Sequence, residues 1–148
     1  MARLDEIKGK KIALDTVVFI YALEGNDKFG KRAEQIFIAI EQGECKGFAS
    51  DLVLAELMVK PLQEGKPEIA EEYASELPNF PNLTFLAPTR DIIITAAKLR
   101  SNSNLKLIDA LHLATAINAG SQIFITNDTA MKCDVSQIDI WLISEIDF

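Results

Sequence analysis

The sequence predicts a three-layer α/β/α fold, with a central parallel sheet of about five strands between two layers of helices. Short apolar runs of strand length alternate along the chain with segments whose apolar residues recur at helical spacing. The helix-length connections between these runs suit right-handed parallel crossovers rather than hairpins. Composition agrees. The 148 residues are 49% hydrophobic and 25% charged, with 7 Gly and 5 Pro. One domain spanning residues 1–148 can then bury roughly two thirds of its extended-chain surface without a metal or disulfide staple. No linker, repeat or low-complexity segment divides the chain.

Lys11-Ile-Ala-Leu14 reads as the first strand, a buried run that opens into a loop at Asp15. Val17 to Leu23 follows as a short helix closed by Gly25-Asn26, and Phe29, Ala33, Ile36, Phe37 and Ile40 mark a second helix that ends at Gly43. Lys46 to Ala49 forms a second strand, and Ser50-Asp51 caps a helix from Leu52 to Val59 that Pro61 is expected to terminate. A more polar helix spans Pro67 to Leu77 before Pro78 and Pro81 break the chain, so residues 67–81 form the arm of a helical hairpin. Leu83 to Leu86 is the third strand. Thr89 or Asp91 opens a helix that the Ser101-Asn-Ser-Asn104 loop ends, and Leu107 to Ala119 is the last helix, closed by Gly120. Gln122 to Thr126 and the alternating Ile138, Ile140 and Leu142 supply the fourth and fifth strands.

Charge and composition narrow the function. With 15 Lys+Arg against 22 Asp+Glu, the formal charge is -7, which argues against broad electrostatic adhesion to nucleic acid or anionic lipid. Cys45 and Cys133 form no paired motif and His112 is the one histidine, so a thiolate and imidazole zinc site cannot be assembled. The charged stretch Met1 to Lys11 has no signal-peptide pattern, and no apolar run approaches the roughly 20 residues of a membrane span. A cytoplasmic protein with reduced thiols is the expectation.

Ligands of open parallel sheets bind beyond the carboxyl ends of the strands, so acids there carry weight. Asp15 follows the first strand and Asp128 the fourth, which aims both at one edge. Glu56 and Asp109 interrupt otherwise apolar helices, where an unpaired carboxylate is costly. The nearest lysines in sequence are Lys60, Lys106 and Lys132, too few to neutralise all four. A divalent cation fits better: hard carboxylate oxygens select Mg²⁺ or Mn²⁺, and such a site suits phosphodiester hydrolysis. With one histidine, a histidine-based ribonuclease mechanism is not expected.

Four stretches in register, Ala13-Leu-Asp15-Thr-Val-Val-Phe-Ile-Tyr21, Ser50-Asp-Leu-Val-Leu-Ala-Glu56-Leu, Leu107-Ile-Asp109-Ala-Leu-His-Leu-Ala-Thr-Ala116 and Ile125-Thr-Asn-Asp128, resemble the PIN-domain nucleases, and among them the VapC-type toxins of toxin-antitoxin pairs. The resemblance covers nearly the whole chain and implies a metal-dependent endoribonuclease. It implies Asp15, Glu56, Asp109 and Asp128 as the acidic quartet, with Asp15 and Asp109 the principal ligands of Mg²⁺ or Mn²⁺. Thr16 and Thr126 match hydroxyl positions near metal and phosphate, and Asn127 falls where a supporting hydrogen bond or a turn is expected. An RNA substrate, a homodimer and a silencing antitoxin are further implications, with the apolar residues around Phe19, Tyr21 and Phe37 fitting a contact region and core packing equally well.

Positive charge for RNA must then be local. Lys8, Lys10 and Lys11, together with Lys28, Lys31 and Arg32, flank the segment holding Asp15, and Arg100 and Lys106 lie near Asp109 in sequence, clusters that suit an ordinary solvated surface at least as well as RNA contact. His112, three residues after Asp109, is expected to pack. The alternative is a catalytically silent PIN-like module that binds RNA or protein, which four intact acids disfavour. A haloacid-dehalogenase-type phosphatase needs an acid where Val17 stands, and a receiver-like domain needs an acidic pair that Asp15-Thr-Val-Val lacks.

Overall fold

Strand β1 (Lys11–Leu14) lies at the centre of a five-stranded sheet. Its alternating side chains serve two cores, Ile12 and Leu14 on one face and Ala13 on the other. In this computed structural model, which describes residues 2–148 and leaves Met1 outside the described residues, the other strands are β2 (Lys46–Ser50), β3 (Leu83–Leu86), β4 (Ile123–Thr126) and β5 (Asp139–Leu142). Their order is β3-β2-β1-β4-β5 and every pairing is parallel. The chain winds outward from β1 through β2 to β3, then returns to place β4 on the other side of β1. The sheet therefore has its topological switch point between β1 and β4, where a crevice opens at the carboxyl ends of the strands.

Six helices cover the sheet: α1 (Thr16–Glu24), α2 (Gly30–Glu41), α3 (Leu52–Gln63), α4 (Pro67–Glu76), α5 (Arg90–Ser101) and α6 (Leu107–Asn118). Val18, Phe19, Ile36, Ile40, Val53 and Leu57 from α1 to α3 pack with Ile12, Leu14, Ile123 and Ile125 on one face. Ile92, Ala96, Ala110, Leu113 and Ala114 from α5 and α6 pack with Ala13 and Phe124 on the other. The predicted three-layer architecture and five parallel strands are thus observed. Among the described residues no helix is long and apolar enough to cross a membrane.

Two local expectations are corrected. Pro61 does not stop α3, which runs on to Gln63. Its ring is buried, and being near the helix end it removes one backbone donor while the last turn still closes through the Glu64 N–H to Lys60 carbonyl bond of 3.0 Å. At the start of α3 the Ser50 hydroxyl accepts from the Leu52 N–H at 3.1 Å, whereas Asp51 makes no side-chain cap. The Gly25-Asn26 stop of α1 is as expected, with Gly25 in the left-handed conformation at φ 64°.

Candidate active site

The end of β1 delivers Asp15 to the crevice at only 7% exposure. One oxygen accepts from the Thr16 N–H at 2.8 Å and the other from the Thr126 hydroxyl at 2.6 Å. Asp15 is therefore a helix N-cap for α1 and a fixed carboxylate of the crevice at once. Thr126 closes β4, and its hydroxyl oxygen also accepts from the Asp128 N–H at 3.2 Å. One hydroxyl thus couples the two strand ends. Asp128 itself is exposed and accepts from the Ala130 N–H at 2.9 Å.

Glu56 on α3 and Asp109 on α6 reach the same region from the two helix layers. Glu56 Oε1 accepts from the Thr16 hydroxyl at 2.6 Å and from His112 Nε2 at 2.7 Å, while Oε2 has no protein partner among the described residues. Asp109 is half-buried, and its carboxylate has no hydrogen-bond partner among the described residues. The cost expected of buried acids in apolar helices is largely avoided. The Glu56 side chain is 39% exposed, and both acids sit where their helices border the crevice.

Electrostatics tie the quartet together. Burial pushes the Asp15 carboxyl above its ordinary 3.8 despite the Thr126 hydrogen bond and the attraction of His112, and Glu56 adds to the rise. Asp109 is likewise raised, first by burial and then by the negative charges of Asp15, Asp128 and Glu56. Glu56 moves the other way because His112 donates to it. The four acids feel one another, and no lysine or arginine ranks among the main influences on Asp15, Glu56 or Asp109.

Among the described residues no three His, Cys, Asp or Glu side chains form a ready-made metal cage. The donor set nevertheless fits a hard divalent cation. Its donors are carboxylate oxygens, Glu56 Oε2 and the Asp109 carboxylate are unengaged among the described residues, and their mutual repulsion is met by His112 but by no prominent lysine or arginine. Mg²⁺ binding through one or two carboxylates with retained waters needs no closed cage.

The structure adds detail at four of these positions. Thr16 and Thr126 donate to carboxylates, so they orient acids. Asn127 turns its amide away from the quartet, donating to the Tyr21 hydroxyl at 3.0 Å and accepting from the Ser144 N–H at 3.0 Å, which fixes the β4 turn to α1 and the C-terminal segment. His112, expected only to pack, is 3% exposed yet joins Glu56 and stands 3.3 Å from the Thr16 hydroxyl. Its place three residues after Asp109 on one helix was the available signal.

Part of the basic clusters stands away from the site or holds the scaffold. Lys8, Lys10 and Lys11 lie at the start of β1, the edge opposite Asp15, where Lys10 and Lys11 border a depression with Gly43 and Glu44. The Arg32 guanidinium donates to the Ile143 carbonyl at 3.2 Å and stacks 5.4 Å from the Phe148 ring centre. Arg100 donates to the Leu105 carbonyl, and Lys132 pairs with Glu145. Replacing Arg32 by Ala is expected to cost about 1.5–3 kcal/mol, the range for hydrogen bonds made by charged groups. A lowered urea midpoint with unchanged activity per folded molecule checks this.

An acid-lined crevice at the switch point of a parallel α/β sheet defines a carboxylate site suited to a divalent cation. The PIN-domain family model matches residues 12–133, and the chain belongs to this family. No curated protein matches the sequence. Among solved structures, a toxin-antitoxin complex from Klebsiella pneumoniae is 23% identical, with a TM-score of 0.64 and coverage of 86% of this chain and 94% of that one. DNA-bound VapBC from Salmonella typhimurium is 18% identical, with a TM-score of 0.68 and coverage of 90% and 98%. A VapC toxin from Mycobacterium tuberculosis, described as cleaving the sarcin-ricin loop, is 16% identical, with a TM-score of 0.60 and coverage of 76% and 86%. These likenesses establish the fold.

Proposed function

We propose that this chain, as one PIN-like domain, is a cytoplasmic endoribonuclease dependent on Mg²⁺ or Mn²⁺ and the toxin of a toxin-antitoxin pair. The observation that carries the reading is the mutual influence of Asp15, Glu56, Asp109 and Asp128 at the carboxyl edge of the sheet, with His112 beside them and no lysine or arginine among the main influences on Asp15, Glu56 or Asp109. Asp15 and Asp109 would be the principal ligands, with Glu56 and Asp128 completing the charge directly or through water. When bound, the cation supplies Lewis-acid stabilisation of phosphate charge and lowers the pKa of water. The chain's own residues prepare for this: Thr16 and Thr126 fix the Glu56 and Asp15 carboxylates, and a carboxylate of the quartet orients the attacking water as general base.

Partner features support the same reading. Phe19, Leu23, Phe37, Ile38, Leu77 and Phe80 line an apolar groove of about 360 Å³ with Glu34 and Glu41 beside it, suited to an amphipathic antitoxin helix with basic flanks. Exposed Ile93, Ile94 and Leu107 offer a surface for a homodimer.

The test is cleavage of a mixed RNA pool containing tRNA and rRNA in Mg²⁺, Mn²⁺ or EDTA, with the new ends mapped. Folded, antitoxin-free protein that cuts nothing would favour a silent binding module. Metal should also stabilise the fold, by about 2.7 kcal/mol at a free concentration 100 times the Kd. Thermal unfolding with and without Mn²⁺ reads this directly.

A further inference from the structure

Glu56 borders a second concavity. Beside it, α1, α3 and α4 surround a recess of about 250 Å³, walled by Ile20, Leu57, Pro61 and Tyr73 and carrying Glu24 and Lys60. We propose that this recess receives the base of a nucleotide flanking the scissile phosphate of single-stranded RNA, with Lys60 as its phosphate contact. This inference rests on the ribonuclease reading above.

Size and lining suit a base. The recess is smaller than the roughly 300–1,000 Å³ of pockets for drug-sized ligands, and its apolar walls include an aromatic ring on which a base can stack. Continuity places the occupant: Glu56 belongs both to the recess and to the acid quartet, so a base held there sets its phosphate beside the carboxylates. Charge completes the case. Among the described residues Lys60 is the only basic one lining the recess, and it stands one helical turn after Glu56.

Lys60 is paired with Glu24 at 2.6 Å, but the two side chains remain 68% and 42% exposed. So open an ion pair exchanges readily, and an arriving phosphate can take the place of the carboxylate. Glu24 is then released to accept from a base amino group. A carboxylate acceptor there favours cytosine, adenine or guanine, which carry exocyclic amino groups, over uracil.

Two measurements decide the matter. Asp109→Asn protein is photocrosslinked to a short single-stranded RNA carrying one 6-thioguanosine, and the attached peptide is identified. Adducts within residues 57–73 are expected; adducts elsewhere, or none, would overturn the proposal. In cleavage assays Lys60→Ala should raise KM about tenfold with kcat little changed, and reduce the slope of log affinity against log salt by about 0.7. Lys46→Ala, which removes one charge at the opposite sheet edge, should do neither; equal effects from both variants would refute a local contact. Tyr73→Ala should lower kcat/KM about tenfold and broaden base preference at the cut, while Tyr73→Phe keeps both. A Tyr73→Ala enzyme with unchanged KM and ends would count against the recess. Wild type that cuts no RNA defeats the ribonuclease reading, leaving the crosslink to decide whether nucleotides bind there. Active wild type crosslinked elsewhere defeats the recess alone.

Discussion

Asp109→Asn is expected to abolish RNA cleavage, by about 10²–10³-fold or more, and at the same time to make the metal-free protein more stable at neutral pH. The two effects share one cause. Asp109 sits half-buried with the negative charges of Asp15, Asp128 and Glu56 around it, and its carboxyl is held above its ordinary 3.8. A raised acid stabilises the fold below its ordinary value, and that stability is lost as pH rises through the higher folded value. At neutral pH without metal, Asp109 is thus a net cost, which the neutral amide removes. Relief at a half-exposed site amounts to no more than about 1 kcal/mol, or about 2–4 °C in a chain of this size. Unfolding in EDTA and in Mn²⁺ reads both halves: the variant should melt higher than wild type in EDTA and gain less from Mn²⁺. A variant that melts lower in EDTA would show that Asp109 is structural, and retained cleavage would remove it from the proposed ligand set.

Much of this site was legible because it depends on chain order. Asp15 and Asp128 follow strand-like runs, and a parallel alternation of strands and helices puts such ends on one edge, so their convergence follows from local pattern. Glu56 and Asp109 stood out as acids in apolar helices. Partnership was not legible. Thr16 and Glu56 are 40 residues apart, Glu56 and His112 are 56 apart, and Thr126 and Asp15 are 111 apart. These pairs meet only because the strand order places β4 against β1 and sets α3 and α6 beside the crevice.

The first lysine cluster lies away from the site for a related reason. Nearness in sequence to Asp15 says nothing about which end of a strand a residue occupies, and Lys8, Lys10 and Lys11 fall at the far end of β1. Pro61 was misread because a proline near the end of a helix costs one hydrogen bond, which burial of its ring can offset.

His112 gives the second large effect. As a core residue alone it would tolerate a shape-matched apolar replacement; as the donor to Glu56 it would not. Glu56 Oε1 takes both the Thr16 hydroxyl and His112 Nε2, which leaves Oε2 free toward the site. Because an ionised carboxylate only accepts, the proton of this bond resides on Nε2. Nδ1 is buried without a partner, so Glu56 is the imidazole's principal hydrogen-bond partner. His112→Leu should therefore fold yet lose about 10–100-fold in kcat, the range for residues that orient a metal ligand, whereas His112→Gln should recover most of that loss through its amide donor. Stability against pH separates the readings further. His112 holds the Glu56 carboxyl below its ordinary 4.5, so Glu56 stabilises the wild type above that value and the contribution is lost as pH falls through the lower folded value. Without the imidazole that pH-dependent contribution disappears, so the fall in stability as pH drops below the ordinary 4.5 should be shallower in His112→Leu than in wild type. Equal activity and equal acid profiles in the Leu and Gln variants would return His112 to the core as packing alone.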